Sequence, residues 1–331
     1  VNYIGSKIRL SAFIKAEILK IVGGDISQKI FCDIFAGTAV VARAFKKDVK
    51  TVISNDIEYY SFVLNKNYID NHKEIKDRAD YIAELNALPL IDNGFIYKHY
   101  CKGSGSQRQY FSDNNGKKID TIRTEIQKWK NSEKIDESLY YFLLASLLVS
   151  ADKVANTASV YGAFLKYLKP PASKELVLTP ADFQISDNEH QVFNEDSNDL
   201  IKKIKGDILY LDPPYNNRQY GANYHILNTI ALYDDFIPKG KTGRRVYNRS
   251  AYSKKRKVHS SFEELIKNAN FRYIFLSYND DGLMSGDDVR EIMSKYGDYK
   301  LVKKEYKRFI SQNVDKSSTF EHLHILEKTD I

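Results

Sequence analysis

The stretch DILYLDPPYNN, residues 207–217, sets a run of apolar strand-formers against an Asp, two prolines and a Tyr. Ile208, Leu209, Tyr210 and Leu211 are continuous rather than alternating, the pattern of a parallel strand buried on both faces. Proline lacks the N–H that a ladder needs, so Pro213 and Pro214 end the strand. They leave a stiff elbow flanked by Asp212 and Tyr215. In an open α/β sheet, ligands bind at the carboxyl ends of the strands. The elbow therefore marks a candidate active site.

The flanking sequence reads as α/β on both sides. Residues 30–35, IFCDIF, form a short strand, and the following AGTAVVARAFKK has a turn at Gly37 and an expected N-cap at Thr38. Val40, Val41, Ala44 and Phe45 then keep helical spacing. Residues 51–54, TVIS, form a second strand ending at Asn55-Asp56, with a helix through IEYYSFVLNKNYI. Gly37 and Asp56 stand about 20 residues apart, as a nucleotide-binding turn and a ribose-binding acid do. One Gly stands where the dinucleotide fingerprint has three, so a turn kept only for packing is also open. Further strands are expected at 192–196 (VFNED) and 271–279 (FRYIFLSYN). Helices are expected at Tyr220–Tyr233 and Asp287–Lys295, and a closing hairpin pairs Tyr299–Tyr306 with His322–Glu327.

From about Asn71 to His190 the alternation stops. Helical patterns occur at Lys117–Trp129 and Glu137–Thr157. The segment 103–116, GSGSQRQYFSDNNG, displays amides and a guanidinium at Gln107, Arg108 and Gln109. Taken alone it reads as an ordinary surface loop.

Composition sets limits on function. The chain has 331 residues, 43% hydrophobic and 28% charged, enough for one large core or a core plus a smaller domain. The longest apolar run, Tyr140 to Ala151, is too short to cross a bilayer. No signal peptide is expected from the first residues. Two cysteines, Cys32 and Cys101, point to a reducing compartment and against a structural zinc site. The net charge is +7, with 50 Lys/Arg against 43 Asp/Glu. Residues 239–258, KGKTGRRVYNRSAYSKKRKV, hold nine of the basic residues and no acid, so the whole excess sits there. Most charge runs are solvated loops. A phosphate-binding loop needs the same chemistry, and the position of this one after the elbow favours nucleic acid.

The order of these pieces resembles the Dam-like, alpha-group DNA adenine-N6 methyltransferases of type II restriction–modification systems, over most of the chain. NYIGSKIRL (2–10) is similar to the family's N-terminal motif, DIFAGTA (33–39) to its FxGxG cofactor loop, and NDIE (55–58) to the next motif. NED (194–196) is similar to the strand end at the cofactor's adenine, DPPY (212–215) to the catalytic tetrapeptide, and LSYNDDGLMS (276–285) to a later strand. Ala39 departs from the pattern, standing where the second Gly of the loop is usual.

The resemblance implies a Rossmann-like S-adenosylmethionine-dependent sheet built from residues 1–70 and 191–331. Residues 71–190 would be an inserted, mainly helical target-recognition region. Cofactor contacts are implied at Tyr3, Lys7, Asp33, Phe35, Ala36, Gly37, Asp56, Ile57, Asp196, Ser197 and Asp212, with Tyr3 and Lys7 on the methionine part. Catalysis falls to Asp212, Pro213, Pro214 and Tyr215. DNA contacts are expected at Gln107, Arg108, Gln109, Arg218, Lys241, Arg244, Arg245, Arg249, Lys254 and Lys255. No metal is implied. The expected partners are double-stranded DNA and a cognate restriction endonuclease, in a prokaryotic cytoplasm and without a membrane. An RNA methyltransferase using the same DPPY motif and a non-catalytic DNA-binding subunit are the competing readings. A dinucleotide-dependent oxidoreductase fits poorly with a single-Gly turn and a basic loop.

Overall fold

The computed structural model describes residues 7–279, 281–307 and 318–329. Its seven strands form one sheet in the order β3-β2-β1-β4-β5-β7-β6. The strands are β1 Ile30–Asp33, β2 Thr51–Asn55, β3 Gln191–Phe193, β4 Lys205–Leu211, β5 Asn270–Ser277, β6 Gly297–Lys307 and β7 Ser318–Lys328. β1 to β5 pair in parallel, and β7 joins β5 and β6 antiparallel. The chain leaves β1 towards β2 and β3, then returns to β4 and runs the other way. β1 and β4 are therefore neighbours at the point where strand order reverses, where such sheets open a crevice beyond their carboxyl ends.

Both faces of the sheet are covered, which explains the continuous apolar run in β4. Ile208 and Tyr210 pack with Phe31 and Phe275 on one face, under α1 (Ser11–Val22) and α2 (Val40–Phe45). Phe31 and Phe45 stack there at 4.1 Å. Leu209 and Leu211 pack with Cys32, Ile53 and Ile274 on the other face. That face lies under α8 (Ser197–Leu200), α11 (Val258–Asn268) and α12 (Gly286–Ser294).

The connection from β2 to β3 carries α3 (Tyr59–Asn65), a π-helical turn (Lys66–Asp70), and then α4 (Arg78–Ala87), α5 (Phe95–Tyr100), α6 (Asp113–Asn131) and α7 (Glu137–Lys153). α6 begins inside the segment expected to be loop, because Ser112 caps it by accepting the Asn115 N–H at 3.3 Å. The core of this helical region also contains Tyr60, Val63 and Leu64 of α3. Ile226, Leu227 and Ile230 of α10 (His225–Leu232) join it too, with α9 (Tyr220–Asn223) leading into α10.

One local expectation is corrected. Thr38 is not an N-cap: α2 starts at Val40 after Ala39, which sits at φ +62°, and no side chain caps it. The turn is instead shaped by Gly37 and Ala39, both at positive φ.

Candidate active site

A cavity of about 350 Å³ opens at the carboxyl ends of β1, β2 and β4, with residues of the β3–α8 junction beside it. Asn55, the last residue of β2, fastens these ends together. Its Nδ2 donates to the carbonyls of Ile34 at 3.0 Å and Glu195 at 3.1 Å, and its Oδ1 accepts the Glu195 N–H at 3.0 Å. The nucleotide-type turn closes onto the acid after β2. Asp56 Oδ2 accepts the Gly37 N–H at 2.8 Å and its Oδ1 accepts the Glu58 N–H at 2.9 Å. Asp196 lines the cavity while capping α8, accepting the Asn198 N–H at 2.9 Å.

The elbow residue Asp212 projects into the same space with its side chain 19% exposed. Lys7 Nζ stands 3.2 Å from Asp212 Oδ1 and 3.2 Å from Glu321 Oε1 on β7. The Ser277 hydroxyl at the end of β5 donates to Glu321. Tyr215 also lines the cavity; its ring meets Tyr278 edge-on at 6.3 Å and its carbonyl accepts the Leu283 N–H at 2.9 Å.

Acids dominate the wall. Burial raises Asp212 to about 6, against the pull of Lys7. Burial also lifts Asp56 to about 6 and Glu58 to about 7. Asp33 is pushed well above the usual carboxylate range by burial and by the Asp212 charge beside it. Burial pulls the Lys7 ammonium down, but Asp212 and Glu321 outweigh it and hold Lys7 above its ordinary value. Asp33 Oδ1 is buried with no hydrogen-bond partner among the described residues. A buried polar atom without a partner calls for an explanation, and a cationic ligand carrying hydroxyls supplies one. The residues present thus fit a positively charged nucleoside.

Of the cofactor residues read from the sequence, Lys7, Asp33, Phe35, Ala36, Gly37, Asp56, Ile57, Asp196, Ser197 and Asp212 all line this cavity; Tyr3 lies outside the described residues. Lys7, for which the resemblance implied the methionine part of the cofactor, lines the cavity between Asp212 and Glu321. Pro214 and Tyr215 line the cavity and Pro213 is buried behind them. Sequence reasoning missed Glu58, Glu321, Gln219, Tyr220 and a piece of the basic loop. Asn248, Arg249, Ser250 and Tyr252 form a wall of the cavity. Tyr252 meets Phe35 edge-on at 5.0 Å, and Gln219 Oε1 accepts the Ser250 N–H at 2.9 Å. Part of the segment expected to meet nucleic acid thus walls the cavity. The polar spacers among the charges were the available signal.

The other DNA-contact candidates fall into two groups. Gln107, Arg218, Lys241, Arg244 and Lys255 are exposed, and Lys254 is half-buried. Arg108, Gln109 and Arg245 are tied within the protein. Arg108 donates to the carbonyls of His99 at 3.1 Å, Gly240 at 3.1 Å and Lys241 at 3.3 Å. Gln109 is held through its carbonyl, which accepts the Asn156 Nδ2 at 2.9 Å. Arg245 makes a two-pronged pair with Asp234, both contacts 2.9 Å, over the Phe236 ring.

Comparison with known proteins agrees with this geometry. A family model described as D12 class N6 adenine-specific DNA methyltransferase matches residues 3–292. The Type II methyltransferase M.NlaIII of Neisseria lactamica is 60% identical over 99% of this chain and 100% of its own length. M.CviAII of Paramecium bursaria Chlorella virus 1 is 38% identical over 94% of this chain and 93% of its own. M.FokI of Planomicrobium okeanokoites is 36% identical over 99% of this chain, which spans 53% of that longer relative. Matched by this family model over most of its length, and with its Asp-Pro-Pro-Tyr elbow at the switch point of the sheet, the chain belongs to the D12 class of N6 adenine-specific DNA methyltransferases.

Proposed function

We propose that this protein is the modification enzyme of a restriction–modification system, methylating adenine N6 at one short sequence in duplex DNA. The observation that carries the reading is Asp212, half-buried on a rigid elbow in a cavity suited to a cationic nucleoside. Bound in that cavity, S-adenosylmethionine supplies an electrophilic methyl group. Asp56 would accept from its ribose hydroxyls and Asp196 from its adenine, and Asp33 would face its positive charge. An adenine amine is a poor nucleophile because its lone pair is delocalised into the ring. The Asp212 carboxylate and the Pro213 carbonyl accept hydrogen bonds from its two N–H groups and draw the nitrogen towards tetrahedral geometry; the N6–methyl bond forms as the sulfonium–methyl bond breaks, and one N–H proton is released afterwards. The Asp212 charge then stabilises the positive charge developing on N6. The prolines hold these acceptors in place beforehand, so orientation is set by the fold. Tyr215 offers a ring against which an extruded base stacks, since a base inside the duplex is out of reach.

Residues 71–190 are assigned to target recognition and the exposed cations of 239–258 to backbone phosphates. Expression in a host lacking adenine methylation, followed by sequencing of its DNA for N6-methyladenine, tests the reading. The expected result is full methylation at one short motif. Host DNA without modified adenine would overturn it, and methyl groups found only in RNA would favour the competing methyltransferase.

A further inference from the structure

Glu321 is buried at the inner end of β7, far in sequence from every motif of the reaction. Its Oε1 both accepts the Ser277 hydroxyl and faces Lys7, so one oxygen carries the two contacts. Lys7 is itself held at the start of α1, where its carbonyl accepts the N–H groups of Leu10 at 2.8 Å and Ser11 at 2.7 Å. The two ammonium–carboxylate contacts are equal, 3.2 Å each. A fully closed charged pair comes to about 2.7–2.9 Å. Lys7 is therefore shared, and neither acid holds it fully.

We infer that Glu321 is a positioning residue for methyl transfer: by drawing Lys7 towards β7 it leaves the Asp212 carboxylate free to accept the adenine amine. The inference rests on the catalytic role of Asp212 proposed above. Without a competitor, Lys7 would close on Asp212 and quench the charge that the amine needs. Without Lys7, two buried carboxylates would face each other and Asp212 would protonate. The groups facing Asp212 are Lys7 before α1, Asp33 at the end of β1, Tyr210 on β4, Tyr220 on α9 and Glu321 on β7. Lys7 favours ionisation of Asp212 and Glu321 opposes it.

The two partners therefore predict opposite shifts. Glu321→Gln removes a repelling charge and leaves Lys7 to Asp212 alone. Its kcat should fall at least tenfold, while the acid limb of its pH profile moves to lower pH. Lys7→Met should move that limb to higher pH, with activity partly recovered in alkaline buffer. Both are measured with tritiated S-adenosylmethionine at saturation and unmethylated genomic DNA, beside cofactor affinity and thermal midpoint. Tritium incorporation by the unaltered protein stands as the control on the underlying reading. If that control is active and Glu321→Gln retains its kcat and pH profile, the inference is wrong. A loss of kcat with an unmoved acid limb would make Glu321 merely structural. Should Glu321→Gln fail to fold, the upward shift in Lys7→Met decides, and an unmoved limb there overturns the inference.

Discussion

For the role proposed for it, Asp212 must be buried to be preorganised and ionised to be useful, and those demands conflict. Burial has lifted Asp212 and Asp56 to about 6 and Glu58 to about 7. In the free protein these groups hold protons that the unfolded chain has released, so their stabilisation is complete below about 4 and is lost as pH rises through 6 to 7. A cationic cofactor favours the ionised forms. Its binding should expel protons near pH 6, expel almost none at pH 8, and tighten between the two. Calorimetry in buffers of different ionisation heat reads this directly, and equal heats at pH 6 would refute the cationic-pocket argument. His190 and His225, both lowered to about 4 by burial, act oppositely on stability below about 6.5. Neither lines the cavity, so they do not enter the binding measurement. Ala39 poses a backbone conflict at φ +62°, where a side chain costs about 1–2 kcal/mol. Glycine would relieve that, but it loses a buried methyl of about 0.8 kcal/mol. It also adds about 0.4–1 kcal/mol of unfolded-chain entropy. Ala39→Gly should therefore lie within about 1 kcal/mol of neutral by denaturant melt, which explains how the loop tolerates its departure from pattern. Gly37→Ala, at φ +51° and beside Asp56, meets a backbone cost larger than the about 0.4–1 kcal/mol it gains in the unfolded chain, and should destabilise.

At the scale of elements, the basic segment is an assembly of anchored pieces rather than one free loop. Lys239 and Arg244 close a tight turn by mutual backbone bonds of 2.9 Å. Arg108 and the Tyr100 hydroxyl fasten that turn to the helical region, Tyr100 bonding the Gly243 carbonyl at 2.7 Å. Arg108→Ala should weaken DNA binding through a displaced turn and leave the methylated motif unchanged. Lys cannot restore it, since one ammonium cannot span three carbonyls in a plane. Motif sequencing beside binding curves separates the roles, and a changed motif would return Arg108 to base reading. The sheet was legible because strands buried on both faces leave unbroken apolar runs, as in β4. Thr38 misled because the closing of Gly37 onto Asp56 sets the start of α2, and no cap rule contains that long-range bond. Glu321 was illegible for a related reason: β7 pairs with β5, and only that register sets its carboxylate beside Ser277 and Lys7.

At the scale of the molecule, the helical region and the sheet share walls. Its core takes in α3 and α10, which lead away from β2 and the elbow. Arg249 and Ser250 stand at the cavity beside Asp212 while Lys241 and Arg244, a few residues earlier, face solvent. The charge excess therefore lies in two settings, and variants should separate them. Replacing Lys241, Arg244 and Lys255 with Ala removes exposed cations whose side chains make none of the anchoring bonds described above. Binding to cognate and unrelated duplexes should weaken by similar factors, because phosphate contacts carry affinity without sequence information. The log–log salt slope should flatten by roughly 0.9 for each phosphate no longer neutralised. Cofactor affinity should hold. Arg249→Ala should instead weaken cofactor binding measured without DNA, since its segment is a wall of the cavity. Arg245→Ala should lower the thermal midpoint, because it removes a mostly buried side chain packed on the ring of Phe236. A triple variant that kept its nonspecific affinity and salt slope would show that these cations only solvate the turn. One that lost only cognate binding would show that they read bases, and recognition would no longer belong to the helical region alone.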